Sequence, residues 1–289
     1  MDEQVRRRLA TTRATRPGAI AEAAAARKRP DPVPERLMLI AADHPARGAL
    51  SVGKRPLAMA SRTDLLDRLV LALSRPGVHG VLGTADILED LLLLGALEGK
   101  VVHGSMNRGG IPGTVFEFDD RFTGYDAAAI AGMGFDGGKM LLRVDPADPA
   151  SARTLHACAG AVTELAALRL TAIVEPFWVS RRADGRPVND LSPVAVMRSI
   201  AVAQGLGNTS AYTWLKVPVV DDMARVMEAS TLPALLLGGD PSGDQEETYA
   251  SWEAALTLPN VRGLIVGRTL LYPPDEDVAA AVDTAVSLL

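Results

Sequence analysis

The chain has 289 residues, 48% of them hydrophobic and 22% charged, with a formal net charge of −5 and one cysteine. These values fit a globular enzyme of one large domain or two small ones. The acidic balance opposes general nucleic-acid binding, which needs clustered Lys and Arg. No apolar run approaches the roughly 20 residues that cross a bilayer, so no membrane partner is expected. Cys158 cannot pair internally, which favours a cytoplasmic address and a buried thiol inside a helix.

The first 34 residues are rich in Arg and Ala and lack a contiguous apolar segment, so they read as a solvated helical extension rather than a secretory signal. Asp2 and Glu3 stand opposite the basic run Arg6 to Arg8. Such an extension can cover the bottom of the following domain or reach a neighbouring subunit in a homo-oligomer, and the sequence does not choose.

From residue 35 to 289 short apolar runs alternate with stretches of helical periodicity. The strands predicted in order are Leu37–Asp43, Gly80–Thr84, Val101–Gly104, Gly137–Val144, Thr171–Phe177, Tyr212–Lys216, Ala234–Gly238 and Gly263–Val266. Helices are expected at Thr63–Ser74, Ala150–Leu168 and Ser192–Gly205, with starts at Ser61 or Thr63, at Ser192-Pro193, and at Asp221. Eight strand–helix units with no linker between them imply a single (β/α)8 TIM barrel, an α/β fold, with an open doubly wound sheet as the alternative.

Barrel active sites lie at the C-terminal ends of the strands. Four predicted strands carry a charge inside an apolar run: Asp43, Lys139, Glu175 and Lys216. Burying an ion costs several kcal/mol unless it is paired, so four on four strands suggest either a convergent reactive layer or an internal salt-bridge network. Lys216 suits a nucleophile for a carbonyl if burial and a second cation, Lys139, keep it neutral. Glu175 is placed to move the protons of carbinolamine dehydration and C–C cleavage, and Asp43 to orient a lysine or bind a substrate hydroxyl.

The seventh predicted strand ends in Gly238-Gly239-Asp240 and the eighth in Gly267-Arg268, the two positions where barrels often bind phosphate. Arg143 shares the parity of Lys139, while Arg47 and Arg108 fall in loops after the first and third strands; all three are candidates for binding an anionic substrate group. His44 and His103 sit near strand ends, whereas His79 and His156 read as structural or exposed. No His-x-His pair or cysteine cluster is present, so no tight zinc site is indicated.

These residues resemble the class I, Schiff-base-forming aldolase superfamily of tagatose-bisphosphate, archaeal-type fructose-bisphosphate and deoxyribose-phosphate aldolases. The resemblance rests on Ala42-Asp43 with Arg47-Gly48, Gly138-Lys139-Met140-Leu141-Leu142, Val174-Glu175, Leu215-Lys216-Val217 and Gly267-Arg268. It implies a lyase that uses Lys216 as the Schiff-base lysine, takes a phosphorylated sugar or sugar acid and needs no cofactor. Pro218 and Arg143 depart from the tagatose-type pattern, and the Lys-Thr-Ser-Thr-Gly run of deoxyribose-phosphate aldolases is absent. The pattern is similar to an aldolase-like branch associated with inositol catabolism, which implies 2-deoxy-5-keto-gluconate 6-phosphate as substrate, its carboxylate on Arg143 and Arg108. A phosphosugar isomerase or epimerase with Glu175 as base, and a non-catalytic metabolite-binding barrel, remain the alternatives.

Overall fold

Short runs of branched and leucine side chains pair edge to edge, and the ring they form closes. The computed structural model describes residues 3–239 and 244–289. Its barrel strands are β1 (Leu37–Ala41), β2 (Gly80–Gly83), β3 (Val101–Ser105), β4 (Gly137–Val144) and β5 (Thr171–Arg181), then β7 (Thr213–Pro218), β8 (Ala234–Leu237) and β9 (Val261–Val266). Every neighbouring pair of these eight is parallel, and β4 pairs with β5 as well as β3, so the eight strands close into a ring. This is the (β/α)8 barrel expected from the alternation.

Register fixes which side chains face inward, because residues paired across parallel strands point to the same side of the sheet. The pairs Leu39–Gly80, His103–Gly137, Lys139–Ile173, Leu141–Glu175, Lys216–Leu235 and Ile265–Leu39 run round the ring. The inner face therefore holds Leu37, Leu39, Ala41, Leu82, Val101, Ile173, Leu235 and Ile265, a separate apolar cluster against which Trp214 packs. The alternate positions, such as Met38, Ile40, Val81, Val102, Met140 and Val174, form the larger cluster between sheet and helices. His103 also points inside; neither ring nitrogen finds a hydrogen-bond partner among the described residues, and burial pushes its pKa down to about 4.

The helices are α1 (Glu3–Thr15), α2 (Ala19–Ala26), α3 (Arg62–Ser74), α4 (Ala85–Leu93), α5 (Ala127–Gly132), α6 (Ser151–Ala167), α7 (Pro193–Gln204), α8 (Met223–Met227), α9 (Gln245–Leu256), α10 (Arg268–Leu271) and α11 (Val278–Ser287). Ser61 caps α3 by accepting from the Asp64 N–H, and Ser192 caps α7 ahead of Pro193. The cap expected at Asp221 is not formed. Asp222 precedes α8 instead, at φ 56°, and makes no side-chain cap. Cys158 is fully buried in α6.

Two strand ends differ from expectation. β1 stops at Ala41, so Asp43 stands at the entry to a 3-10 turn (His44–Arg47) rather than in the strand. β5 runs past the barrel rim and folds back through β6 (Pro187–Asn189), an antiparallel hairpin pairing Val179 with Asn189. The signal for it was the Asp184-Gly185 pair, with Gly185 at φ 82°, a tight-turn dipeptide between β-type residues.

The N-terminal helices dock against α4 on the outside of the barrel. Arg13 bridges to Glu89 and Asp90 of α4, while Glu3 pairs with Arg6 and Arg7 on its own helix; Asp2 lies outside the described residues. Arg27 is buried and donates to the Lys100 carbonyl at 2.7 Å and the Gly134 carbonyl at 2.6 Å, in the turns that lead into β3 and β4. Hydrogen bonds from a charged donor stabilise by about 1.5–3 kcal/mol each at most. Arg27→Met should therefore lower unfolding stability by about 2 kcal/mol in urea titration without changing the barrel's circular dichroism. An unchanged midpoint would show that this docking is not coupled to barrel stability.

Candidate active site

Alternation along β4, β5 and β7 sends Lys139, Glu175 and Lys216 into the barrel, and the residues two before each on β4 and β7 are small or apolar. Asp43, two residues beyond inward-facing Ala41, keeps the same parity. The four meet. Lys139 Nζ lies 2.7 Å from Asp43 Oδ2 and 2.5 Å from Glu175 Oε2, and Lys216 Nζ lies 3.2 Å from the same Glu175 oxygen. Lys139, Lys216 and Glu175 are 2%, 3% and 6% exposed, so these contacts form with almost no water to screen them.

Their electrostatics separate the two amines. Burial lowers the Lys216 pKa, and the neighbouring Lys139 ammonium adds to that effect; Glu175 and Asp43 pull the other way without overcoming it. Burial opposes charge on Lys139 as well, but Asp43 and Glu175 flank it so closely that its pKa ends raised. Burial works against the charged form of both carboxylates, and the two lysines more than offset it, holding Asp43 and Glu175 below the usual carboxylate range. One amine is thus locked as a cation and the other is biased toward the free base.

Lys216 and Glu175 open onto a cavity of about 490 Å³ at the C-terminal mouth, walled by Leu141, Phe177 and Trp252. Asp43 and Lys139 lie behind them, outside its lining. His44, Arg47 and Arg268 line the rim with Gly238, Gly239 and Gly267. Arg47 is largely buried; burial and then Arg143 lower its pKa, and its Nε has no hydrogen-bond partner among the described residues. Gly267 is required by close approach, since a Cβ there would lie 2.4 Å from the Ala41 carbonyl oxygen. Gly239, at φ 67°, faces open space, and Asp240 lies outside the described residues.

Two of the predicted arginines are placed differently. Arg143 ion-pairs with Glu117 at 2.5 Å, donates to Asn189 Oδ1 at 3.2 Å and stacks 4.9 Å over the Phe118 ring. Arg108 donates to Thr123 and to the Ala46 carbonyl and lines a separate recess of about 360 Å³ with Ser105 and Asn107. Neither side chain lines the cavity above Lys216. Asn189, Leu191, Thr248 and Ser251 do line it and carried no sequence signal; Asn189 belongs to the hairpin that the alternation did not reveal. Among the described residues no cluster of His, Cys, Asp and Glu is arranged to hold a metal ion.

The opposite shifts of the two lysines have a measurable consequence. Lys216 should undergo reductive methylation at a lower pH than a model lysine peptide, read peptide by peptide in mass spectrometry, with Lys139 unreactive over the same range. Lys139→Met should move the Lys216 profile to higher pH, because it removes the cation that disfavours Lys216 protonation. It should also cost roughly 3–5 kcal/mol of stability by stranding the buried Asp43 carboxylate and leaving Glu175 with Lys216 alone. A Lys216 profile that matches the model peptide in the parent protein contradicts this account of the site.

Among solved structures, Cgl0159 from Corynebacterium glutamicum (Brevibacterium flavum) is 53% identical with a TM-score of 0.96, the alignment covering 100% of this chain and 97% of that one. An archaeal fructose 1,6-bisphosphate aldolase aligns with a TM-score of 0.63 at 16% identity, over 88% of this chain and 93% of that one. The fructose-bisphosphate aldolase of Slackia heliotrinireducens gives 0.62 at 14%, over 88% and 85%. At those identities the likeness to the aldolases is one of fold. A search of curated proteins finds no match. The family described as Cgl0159-like matches residues 35–286, and the chain belongs to it.

Proposed function

We propose that this chain is a lyase of the class I aldolase type, which cleaves or forms a carbon–carbon bond in a phosphorylated ketose or keto sugar acid through a Schiff base on Lys216. The observation that carries the reading is the unequal pairing of two buried lysines: Lys216, on the cavity floor, touches one carboxylate, while Lys139 behind it touches two. A neutral amine is the form that attacks a ketone. Glu175, 3.2 Å from Lys216 Nζ, moves protons at that nitrogen as the carbinolamine loses water. The resulting iminium draws electrons from the adjacent bond, which breaks to release an aldehyde and leave an enamine. Lys139 tunes the nucleophile and keeps Glu175 anionic, and Asp43 holds Lys139.

The cavity volume suits a ligand of hexose-phosphate size. In this reading the loops at Gly238-Gly239 and Gly267-Arg268 take the phosphate, and Arg47 faces the remaining length of the ligand. A substrate with a second anionic group, such as 2-deoxy-5-keto-gluconate 6-phosphate, would place its carboxylate near Arg47. Arg143 and Arg108 would act indirectly, by holding Glu117, Asn189 and the Ala46 turn in place.

The test is borohydride reduction in the presence of dihydroxyacetone phosphate, fructose 1,6-bisphosphate and 2-deoxy-5-keto-gluconate 6-phosphate, followed by peptide mass spectrometry. A reduced adduct on Lys216 is expected with at least one of them. Lys216→Ala should abolish the adduct and lower kcat/KM by at least about a thousandfold. Turnover without any trapped adduct would instead favour proton-transfer chemistry at Glu175, as in an isomerase.

A further inference from the structure

Retro-aldol cleavage needs a base for the substrate hydroxyl and an acid for the enamine carbon. Among the described residues that line the cavity, the titratable side chains are His44, Arg47, Glu175, Lys216 and Arg268. The guanidinium groups stay protonated, and Lys216 is consumed as the iminium. Glu175 remains, but its Oε2 lies against Lys139 and Lys216, which commits it to proton transfer at the Lys216 nitrogen rather than at the substrate hydroxyl. That leaves His44.

His44 opens the 3-10 turn that follows Asp43, and its ring forms part of the cavity wall. The ring packs on the backbone of Gly267, where a Cβ would come within 3.1 Å of His44 Cε1, so the glycine leaves room for it. Nδ1 is buried without a hydrogen-bond partner among the described residues, and Asp43 Oδ1 is 3.9 Å away. An imidazole held against a carboxylate on its Nδ1 side presents Nε2 as the proton acceptor.

We propose that His44 is a catalytic residue whose Nε2 takes the proton from the substrate hydroxyl as the carbon–carbon bond breaks. This rests on the Schiff-base reading of Lys216. The hydroxyl oxygen keeps its electron pair and becomes the aldehyde carbonyl. The pair of the broken carbon–carbon bond flows to the iminium, giving the enamine. The imidazolium then returns its proton to the enamine carbon, and hydrolysis frees Lys216.

The charged groups facing the ring set its resting state. Burial pushes its pKa down to about 3, Asp43 opposing and Arg268 and Lys216 adding to it, so the resting ring is neutral and a weak base. A phosphate settling on Arg268 offsets a cation that weakens the ring as a base and raises its proton affinity when the site is occupied.

The experiment uses dihydroxyacetone phosphate as probe, with parent, His44→Gln and His44→Asn. Borohydride adducts on Lys216 and the exchange of the probe's carbon-bound hydrogen in deuterium oxide are measured together. Both variants should melt with the parent and still form the adduct, while exchange slows by about a hundredfold or more, the usual worth of a general base. Exchange within about threefold of the parent overturns the proposal. So does loss of the adduct from a variant that melts normally, since His44 would then serve binding or imine formation. A parent that forms no adduct locates the failure in the Schiff-base reading, and the role of His44 falls with it.

Discussion

The site depends on desolvation, and the closed barrel produces it. Each charged group of the mouth cluster stands on an inner wall that also holds Leu39, Leu82, Ile173, Leu235 and Ile265 and the buried ring of His103. In such surroundings a charge is tolerated only when a counter-charge touches it. Lys139 has two carboxylates in contact, at 2.7 and 2.5 Å; Lys216 has one, at 3.2 Å, and shares its oxygen with Lys139. That difference in pairing is enough to give two lysines of equal burial opposite proton affinities. An open sheet would let water screen both and erase the distinction.

The upper rim is built from segments outside the strand–helix repeat. Arg143, on the inner face of β4, reaches Glu117 in the long segment between β3 and α5 and Asn189 in the hairpin, and lies over Phe118. Asp120 in the same segment accepts from the Asn107 side chain and the Gly109 N–H, which fixes the turn against which Arg47 rests. The arginine is a bracket that joins a strand, a loop and a hairpin, and it leaves Arg47 and Arg268 as the guanidinium groups facing the ligand space.

The legible and the illegible parts of this molecule divide along sequence distance. A barrel strand is a local object: Ile-Ala-Ala-Asp or Trp-Leu-Lys-Val shows both the strand and the charge that interrupts it, and parity tells that Lys139 and Arg143 share a face. The pairing of that face is not local. Nothing near Arg143 says that its partner is Glu117, 26 positions earlier in a stretch without periodicity. The same holds for Arg27, whose carbonyl partners at Lys100 and Gly134 lie in turns far along the chain. The exception is the hairpin, whose Asp184-Gly185 turn is a local signal hidden by the expectation that a strand must be followed by a helix.

Charge counting carries the last step. In the proposed reaction Lys216 enters as the neutral amine, and beside the ionised Asp43 and Glu175 and the protonated Lys139 the four buried groups then carry one excess negative charge. Arg47 and Arg268 stand above it on the cavity rim. In the proposed reaction the iminium on Lys216 brings the buried sum to zero, so the cluster attracts the cation that forms during the reaction more than the neutral amine that precedes it. An arrangement fixed before the reaction, and better matched to the charge that develops than to the resting state, is the electrostatic condition for lowering a barrier. The rim arginines satisfy the complementary condition on the ligand side, since an anionic group placed on them withdraws positive potential from the mouth just as positive charge appears on the floor.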